Sequence, residues 1–482
     1  MGNNTAGTAS TVSRLTHDLI VSPTDSPNFI DNEFVLSKST QWTLVHDPAT
    51  NNLVTRVPQS TAEELSAAQI LFRFTRLIRD NWDRLAAAIT LEQGKTFTDS
   101  RGDVLRGLQV AETACGITTQ LTGEVLEVAR DMETRSYREP LGVVAAICPF
   151  NFPAMIPLWC IPIAVVTGNT MILKPSERVP GASLILAELA REAGFPKGVL
   201  NLVHGSVDTV NFILNEPAIR AISFRVQANL GAKNHAVLLP DVDKGTALNA
   251  LVGAAFGAAG QRCMALSVLV TVGESSKYIP ELVEKARGLV VSAGFDQKAD
   301  VGPVISPESK ARIESLIASA ERDGATIVLD GRGYQPENYP NGNFVAPTVI
   351  TDVKPHMACY KEELFGPVLV CLSVDTLEEA VQLLNANEYG NGASIFTQSG
   401  SSAAYFQKNV EAGQVGINVA IPVPLPMFSF TGNKKSIAGG GANTFYGKPG
   451  LAFYTQQKTV TSLWRRENID SGKKQVVMPS HL

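Results

Sequence analysis

One thiol stands out by its setting. Cys263 follows the stretch GAAGQR and precedes the apolar run MALSVL, and this setting admits two readings. Flanked by Met264 and Ala265, the side chain is a small hydrophobe suited to a core. With Arg262 beside it, the thiolate is favoured, the glycine-rich approach leaves room for a substrate, and the sulfur can add to a carbonyl. Such an addition creates an oxyanion that needs a fixed donor. Asn151, in PFNFP, sits at a predicted strand end between aromatics and prolines that hold it rigidly; alone, an asparagine there is a turn or cap residue. Lys174 and Glu177, in KPSE, lie at the carboxyl end of the next predicted strand, where open parallel sheets bind nucleotides. A lysine and a glutamate suit adenosine-ribose hydroxyls, although the pair also fits a solvated loop whose glutamate faces a helix N-terminus.

The elements that must position these groups alternate between short β-branched runs and amphipathic helical stretches. GVVAAICPF, MILKP, VLNLVHG and AISF read as strands, with PGASLILAELAREAG and TVNFILNEP as helices among them. Pro180 at one helix start and Gly194 before Pro196 at its end are ordinary boundary signals. A second series follows Gly231: HAVLLPD, the helical GTALNALVGAAFGAAGQR, ALSVLVTVG, SKYIPELVEKARGLVV, VLVCLSVD and the helical TLEEAVQLLNAN. The fold class is therefore α/β, with two doubly wound domains, and Cys263 sits at a helix-to-strand passage of the second.

At 482 residues the chain can bury two or three cores without disulfides. A net charge of −5 disfavours a nucleic-acid partner. The six cysteines show neither CxxC spacing nor a rhythm with histidine, so they read as reduced thiols, and no metal is expected. The apolar tract Met155–Leu173 is interrupted by Pro157, Pro162 and Gly168-Asn169 and reads as buried core, not as a membrane span. Asp18 and Asp25 make the first 26 residues a poor transit peptide, and the terminal Ser480-His481-Leu482 is a conservative variant of a peroxisomal address.

PFNFP, ILKPSE, GQRC and EELFGPVL, in this order and at these separations, resemble the NAD(P)-dependent aldehyde dehydrogenase superfamily from about Asn28 to about Arg466. The resemblance implies an NAD-binding domain over 27–123 and 141–231, a catalytic domain over 232–450, a small β oligomerisation arm from 124–140 and 451–466, and tails at 1–26 and 467–482. It implies Cys263 as nucleophile, with Asn151 and the Cys263 amide as the oxyanion hole. Lys174 and Glu177 would hold the adenosine ribose, Ile147, Pro149 and Phe150 would line the cofactor, and Glu363 and Phe365 would place the nicotinamide end. A glutamate at 177 favours NAD over NADP by repelling a 2′-phosphate.

Most members carry a glutamate that activates water where this chain has Asn229, in NLGAKNH. An amide cannot take that proton, so the acyl-enzyme must wait for a thiol such as coenzyme A. RGLQVAETA, PAMIPLW and IPVPLPMFSFTG further resemble the CoA-acylating branch, which converts methylmalonate and malonate semialdehydes to propionyl-CoA and acetyl-CoA with loss of CO2 in valine and pyrimidine catabolism. Its substrate carries a carboxylate, for which Arg106 and Arg262 are the implied cations; Arg106 alone would read as a surface helix residue. A homotetramer and a mitochondrial location are implied, with a peroxisomal or cytoplasmic one as alternatives.

One departure tempers this. Phe224 joins Arg225 directly, where the family carries a Gly-Ser turn and a helix that meets the cofactor pyrophosphate, and a similar shortening lies near Gln69. Parallel neighbours need a crossover of roughly a dozen residues, so either one longer strand or a rebuilt sheet is expected. The alternative to an enzyme is therefore an impaired variant that keeps the fold but lacks the pyrophosphate site. A cofactor-free cysteine acyltransferase or hydrolase ranks last, because no histidine motif supplies its base.

Overall fold

The computed structural model describes residues 70–129, 132–224, 231–437 and 446–464, with five short strands between 24 and 58. The junction at 224/225, the shortening near Gln69, Asn229 and the tail 467–482 lie outside the described residues.

An antiparallel arm starts with β1 (Glu124–Ala129) and β2 (Met132–Pro140). The chain then enters a parallel sheet of β3 (Val143–Ile147), β4 (Thr170–Lys174), β5 (Leu200–Leu202) and β6 (Ile219–Phe224), in the order β5-β4-β3-β6. Val144, Ala145 and Ala146 are fully buried, as a strand covered on both faces requires. Helices Met155–Val166, Gly181–Ala193 and Val207–Asn215 make the crossovers. The expected stop at Gly194 is a left-handed cap with φ 95°. The apolar tract divides as its prolines and Gly168-Asn169 indicate, into helix Met155–Val166 and β4. Asn169 seals the turn between them by donating to Ala164 O and Tyr454 O and accepting from Gly142 N. Among the described residues no strand joins the sheet beyond β6.

The second sheet takes β7 (Asn234–Leu238), β8 (Leu266–Val272), β9 (Thr326–Leu329), β10 (Thr348–Thr351), β11 (Val368–Val374), β12 (Gly392–Phe396) and β13 (Gln414–Ile417). Their order is β9-β10-β11-β8-β7-β12-β13, and only β9 runs antiparallel to its neighbour. The α/β class with two parallel sheets is thus as the alternation of elements predicts. β14 (Thr455–Leu463) returns to the arm and pairs with β2 from Thr455↔Pro140 to Leu463↔Met132. No helix among the described residues is long and apolar enough to cross a membrane.

Helix Phe97–Cys115 lies against Met155–Val166, and Gly107 makes the close approach possible. A Cβ there would stand 2.7 Å from Leu158 Cδ1 and 2.8 Å from its Cβ. Met264, Phe430 and Tyr446, from later in the chain, join the core that surrounds the first sheet, so the two halves share a packed seam.

Gly107→Ala is expected to destabilise the protein by about 1–3 kcal/mol through overpacking. Gly102→Ala, on the same helix with nothing within 4 Å of the new methyl, is expected to gain about 0.5–1 kcal/mol from helix propensity. Thermal unfolding midpoints that move in opposite directions are the check.

Candidate active site

Cys263 is placed by a strained turn. Helix Lys244–Phe256 ends, and Ala258, Ala259 and Gly260 follow with φ of 51°, 52° and 68°. Left-handed alanines cost roughly 1–2 kcal/mol each, and a side chain on Gly260 would strike Gly366 O at 2.0 Å. The turn is held on its far side, where Cys263 O accepts from Asn234 Nδ2 at 3.0 Å and from Asn391 Nδ2 at 2.9 Å. The thiol residue is only partly buried.

Asn151, in the loop after β3, is buried, and its Nδ2 donates to Gln261 O at 3.1 Å, two residues before the thiol. A primary amide has a second hydrogen for an oxyanion. The Asn151 carbonyl accepts from Lys95 Nζ at 2.8 Å, and the same ammonium pairs with Asp103 at 3.0 Å and lies 4.3 Å from the Phe152 ring centre. Asp103 accepts in turn from Met155 N at 2.7 Å. Burial pushes the Asp103 carboxyl above its usual range, and Lys95 opposes that shift.

A cavity of about 270 Å³ opens in front of the sulfur, with Arg106, Arg262 and Cys263 in its wall. Asp99 and Asp103 also line it, and Phe152, Trp159, Ile421, Val423 and Phe430 supply its apolar wall. Trp159 packs on Phe430 at 5.5 Å and edge-on to Tyr446 at 4.9 Å. Asp99, Asp103 and Arg106 share one face of helix Phe97–Cys115 at i, i+4, i+7 spacing. Arg262 is ion-paired with Asp99.

Cys263 also lines a second hollow with Ala232, Gly260, Glu363 and Phe365. Glu363 Oε1 accepts from Ala232 N at 3.1 Å. Phe365, at φ 50°, stands edge-on to Phe150 with ring centres 5.9 Å apart. Ile147 and Lys174 are register partners at the ends of β3 and β4, and Pro149 and Phe150 follow, half-buried. Lys174 is buried and donates to Pro175 O at 3.0 Å and Glu177 Oε2 at 3.2 Å. A backbone amide, with Lys174 assisting, holds the Glu177 carboxyl below its usual range. Carboxylates at 177 and 363 with a lysine beside one of them form an acceptor and donor set that fits ribose hydroxyls, and two aromatic rings fit a flat cofactor end. The structure thus brings Cys263, Arg106 and Arg262 to one cavity and ties Asn151 to the thiol's turn. Asp99, Lys95, Asp103, Asn234 and Asn391 are additions; the helical spacing of residues 99, 103 and 106 could have flagged two of them, whereas nothing local marks the others.

The aldehyde dehydrogenase family model matches residues 66–460. The methylmalonate-semialdehyde/malonate-semialdehyde dehydrogenases [acylating], mitochondrial, of Mus musculus and Homo sapiens are each 52% identical to this chain, over 94% of it and 92% of theirs. A Sinorhizobium meliloti structure described as a methylmalonate-semialdehyde dehydrogenase complexed with NAD superposes with a TM-score of 0.81 at 39% identity, over 92% of this chain and 98% of that one. The Oceanimonas doudoroffii methylmalonate-semialdehyde dehydrogenase gives 0.80 at 37%, over 91% and 98%.

Lys95→Met leaves Asp103 buried without its cation and is expected to cost about 3–5 kcal/mol. Asn151→Ala strips the buried Gln261 carbonyl of its donor and should cost only about 1–3 kcal/mol while lowering kcat about 10²–10³-fold. Paired unfolding and steady-state measurements separate the scaffold residue from the oxyanion donor.

Proposed function

Because the chain belongs to the aldehyde dehydrogenase family, we propose that it is the NAD-dependent, CoA-acylating oxidant of methylmalonate and malonate semialdehydes, yielding propionyl-CoA and acetyl-CoA with release of CO2. The observation that carries this reading is the cavity in which the Cys263 thiol shares a wall with two arginines, two aspartates and a set of apolar side chains. Its relatives bearing that name support it.

The Cys263 thiolate adds to the aldehyde carbon, and the Asn151 amide and the Cys263 backbone N–H take up the developing oxyanion. When bound, NAD would serve as the hydride acceptor, with Lys174 and Glu177 placed to hold its adenosine ribose, Ile147, Pro149 and Phe150 to line it, and Glu363 and Phe365 to place its nicotinamide end. Arg106 and Arg262 hold the substrate carboxylate, each with a planar fork matched to it. What remains on the sulfur is a thioester. Asn229 carries no carboxylate to activate water, so the acyl group awaits the thiol of coenzyme A. The curated relatives are mitochondrial, and this chain is placed in the same compartment.

The domain boundaries of the sequence analysis fit this use, with the first sheet as the NAD-binding unit, the second as the catalytic unit and the antiparallel sheet as the arm. The outer edge of β14 pairs with no strand among the described residues. An open edge of this kind invites a second subunit, which supports the homotetramer. A second reading has one observation in its favour: among the described residues the first sheet ends at β6, with no crossover helix after it. On that reading the chain keeps the fold and binds NAD poorly.

Aldehyde-dependent NADH formation should require CoA for sustained turnover and vanish in Cys263→Ala. Arg106→Leu should lower kcat/KM for methylmalonate semialdehyde at least tenfold more than for propanal, since only the former brings a carboxylate. Equal losses would make the arginine structural. Calorimetric NAD binding too weak to detect would favour the second reading, and inserting the family's turn and helix between Phe224 and Arg225 should then restore it.

A further inference from the structure

Two acids lie on the cavity face of helix Phe97–Cys115, and they have different partners. Asp103 turns to the buried Lys95, while Asp99 pairs with Arg262, which reaches it from the other half of the chain. Both members of the second pair are largely withdrawn from water, at 20% and 24% side-chain exposure, and both line the cavity that contains Cys263. Asp99 is fixed in place. Its backbone N–H donates to Thr96 Oγ1 at 3.3 Å in the capped first turn, where the helix dipole favours a carboxylate. Arg262 is confined too, because a methyl on Gly257 would lie only 2.7 Å from its Nη1.

We infer that Asp99 is a specificity-determining residue, a built-in carboxylate that competes with the substrate carboxylate for Arg262 and so limits how strongly a carboxylated aldehyde is preferred over an uncharged one. The inference rests on the proposed semialdehyde substrate. Charge bookkeeping in the wall supports it. Among the acids and bases of the wall other than the Cys263 thiol, Asp103 is matched by Lys95 and Asp99 by Arg262, which leaves Arg106 as the cation for the substrate carboxylate. The incoming carboxylate meets Arg106 and competes with Asp99 for the second guanidinium. Once the bond between the α-carbon and that carboxylate breaks, CO2 departs, the electron pair passes into the thioester as an enolate and the α-carbon takes a proton from water; Asp99 then recovers Arg262, and the uncharged acyl group is not left beside two unmatched cations. A carboxylic acid lacking the aldehyde is held back by the same competition.

Asp99→Asn removes the competitor while keeping its shape. The ratio of kcat/KM for methylmalonate semialdehyde to that for propanal should rise about tenfold, the factor that roughly 1.4 kcal/mol of competition imposes. Propionate, which carries the carboxylate without the aldehyde, should protect Cys263 from iodoacetamide at about tenfold lower concentration in the variant. Asp99→Ser, which retains an oxygen in the capped turn, should move both readouts in the same direction. A ratio and a protection constant that are unchanged, or that move toward weaker carboxylate binding, would overturn the role of Asp99. A wild-type enzyme with no preference for the carboxylated aldehyde would instead sink the proposed function, and propionate protection, which needs no turnover, would still decide for or against Asp99.

Discussion

The ammonium of Lys95 is the tie on which the site depends. It is buried with Asp103, and a lone charge in that position would be severely penalised. Pairing alone would leave it under-coordinated, and the Asn151 carbonyl and the face of Phe152 complete its surroundings. Through this ion pair, helix Phe97–Cys115, the loop after β3 and the start of helix Met155–Val166 take fixed relative positions. Asn151 then reaches Gln261 in the other half of the chain. The placement of the proposed oxyanion donor Asn151 beside the turn of Cys263 is therefore tied to a buried ion pair.

The turn that carries Cys263 is held in another way. Left-handed alanines are unfavourable in isolation, and they persist because Gly260 packs against the Gly366 carbonyl and because two asparagines grip the Cys263 carbonyl. Asn234 comes from β7 and Asn391 from just before β12, neighbouring strands of the second sheet. The Cys263 carbonyl is thus gripped from its own sheet, and Asp99, the ion-pair partner of its neighbour Arg262, comes from the other half.

Much of this was legible in the residue order. The alternation of apolar runs and amphipathic stretches located the four strands of the first sheet and β7, β8 and β11 of the second, because buried parallel strands read as continuous hydrophobic segments, whereas β9, β10, β12 and β13 were not marked by it. The proline and glycine at the ends of helix Gly181–Ala193 marked its boundaries. Cys263, Asn151, Arg106 and Arg262 could be singled out by residue type and motif. Lys95, Asn234 and Asn391 could not, since their roles are contacts across 56, 29 and 128 positions of sequence, and no local pattern encodes a partner so distant. Asp99 lay between these cases: its helical spacing from Arg106 was visible, whereas its bond to Arg262 required the fold.

The arm carries a consequence for the order in which the molecule can be completed. β2 is made early and its partner β14 last, and the two zip together along their full nine-residue length. Asn169, in the turn before β4, likewise waits for the carbonyl of Tyr454. Contacts of such long sequence separation form slowly. During synthesis one edge of β2 must stay open while both parallel sheets are already taking shape, which exposes a pairing surface to other nascent chains. Closure by β14 thus acts as a completion signal: only a chain translated through Leu463 can cover that edge and present a finished arm.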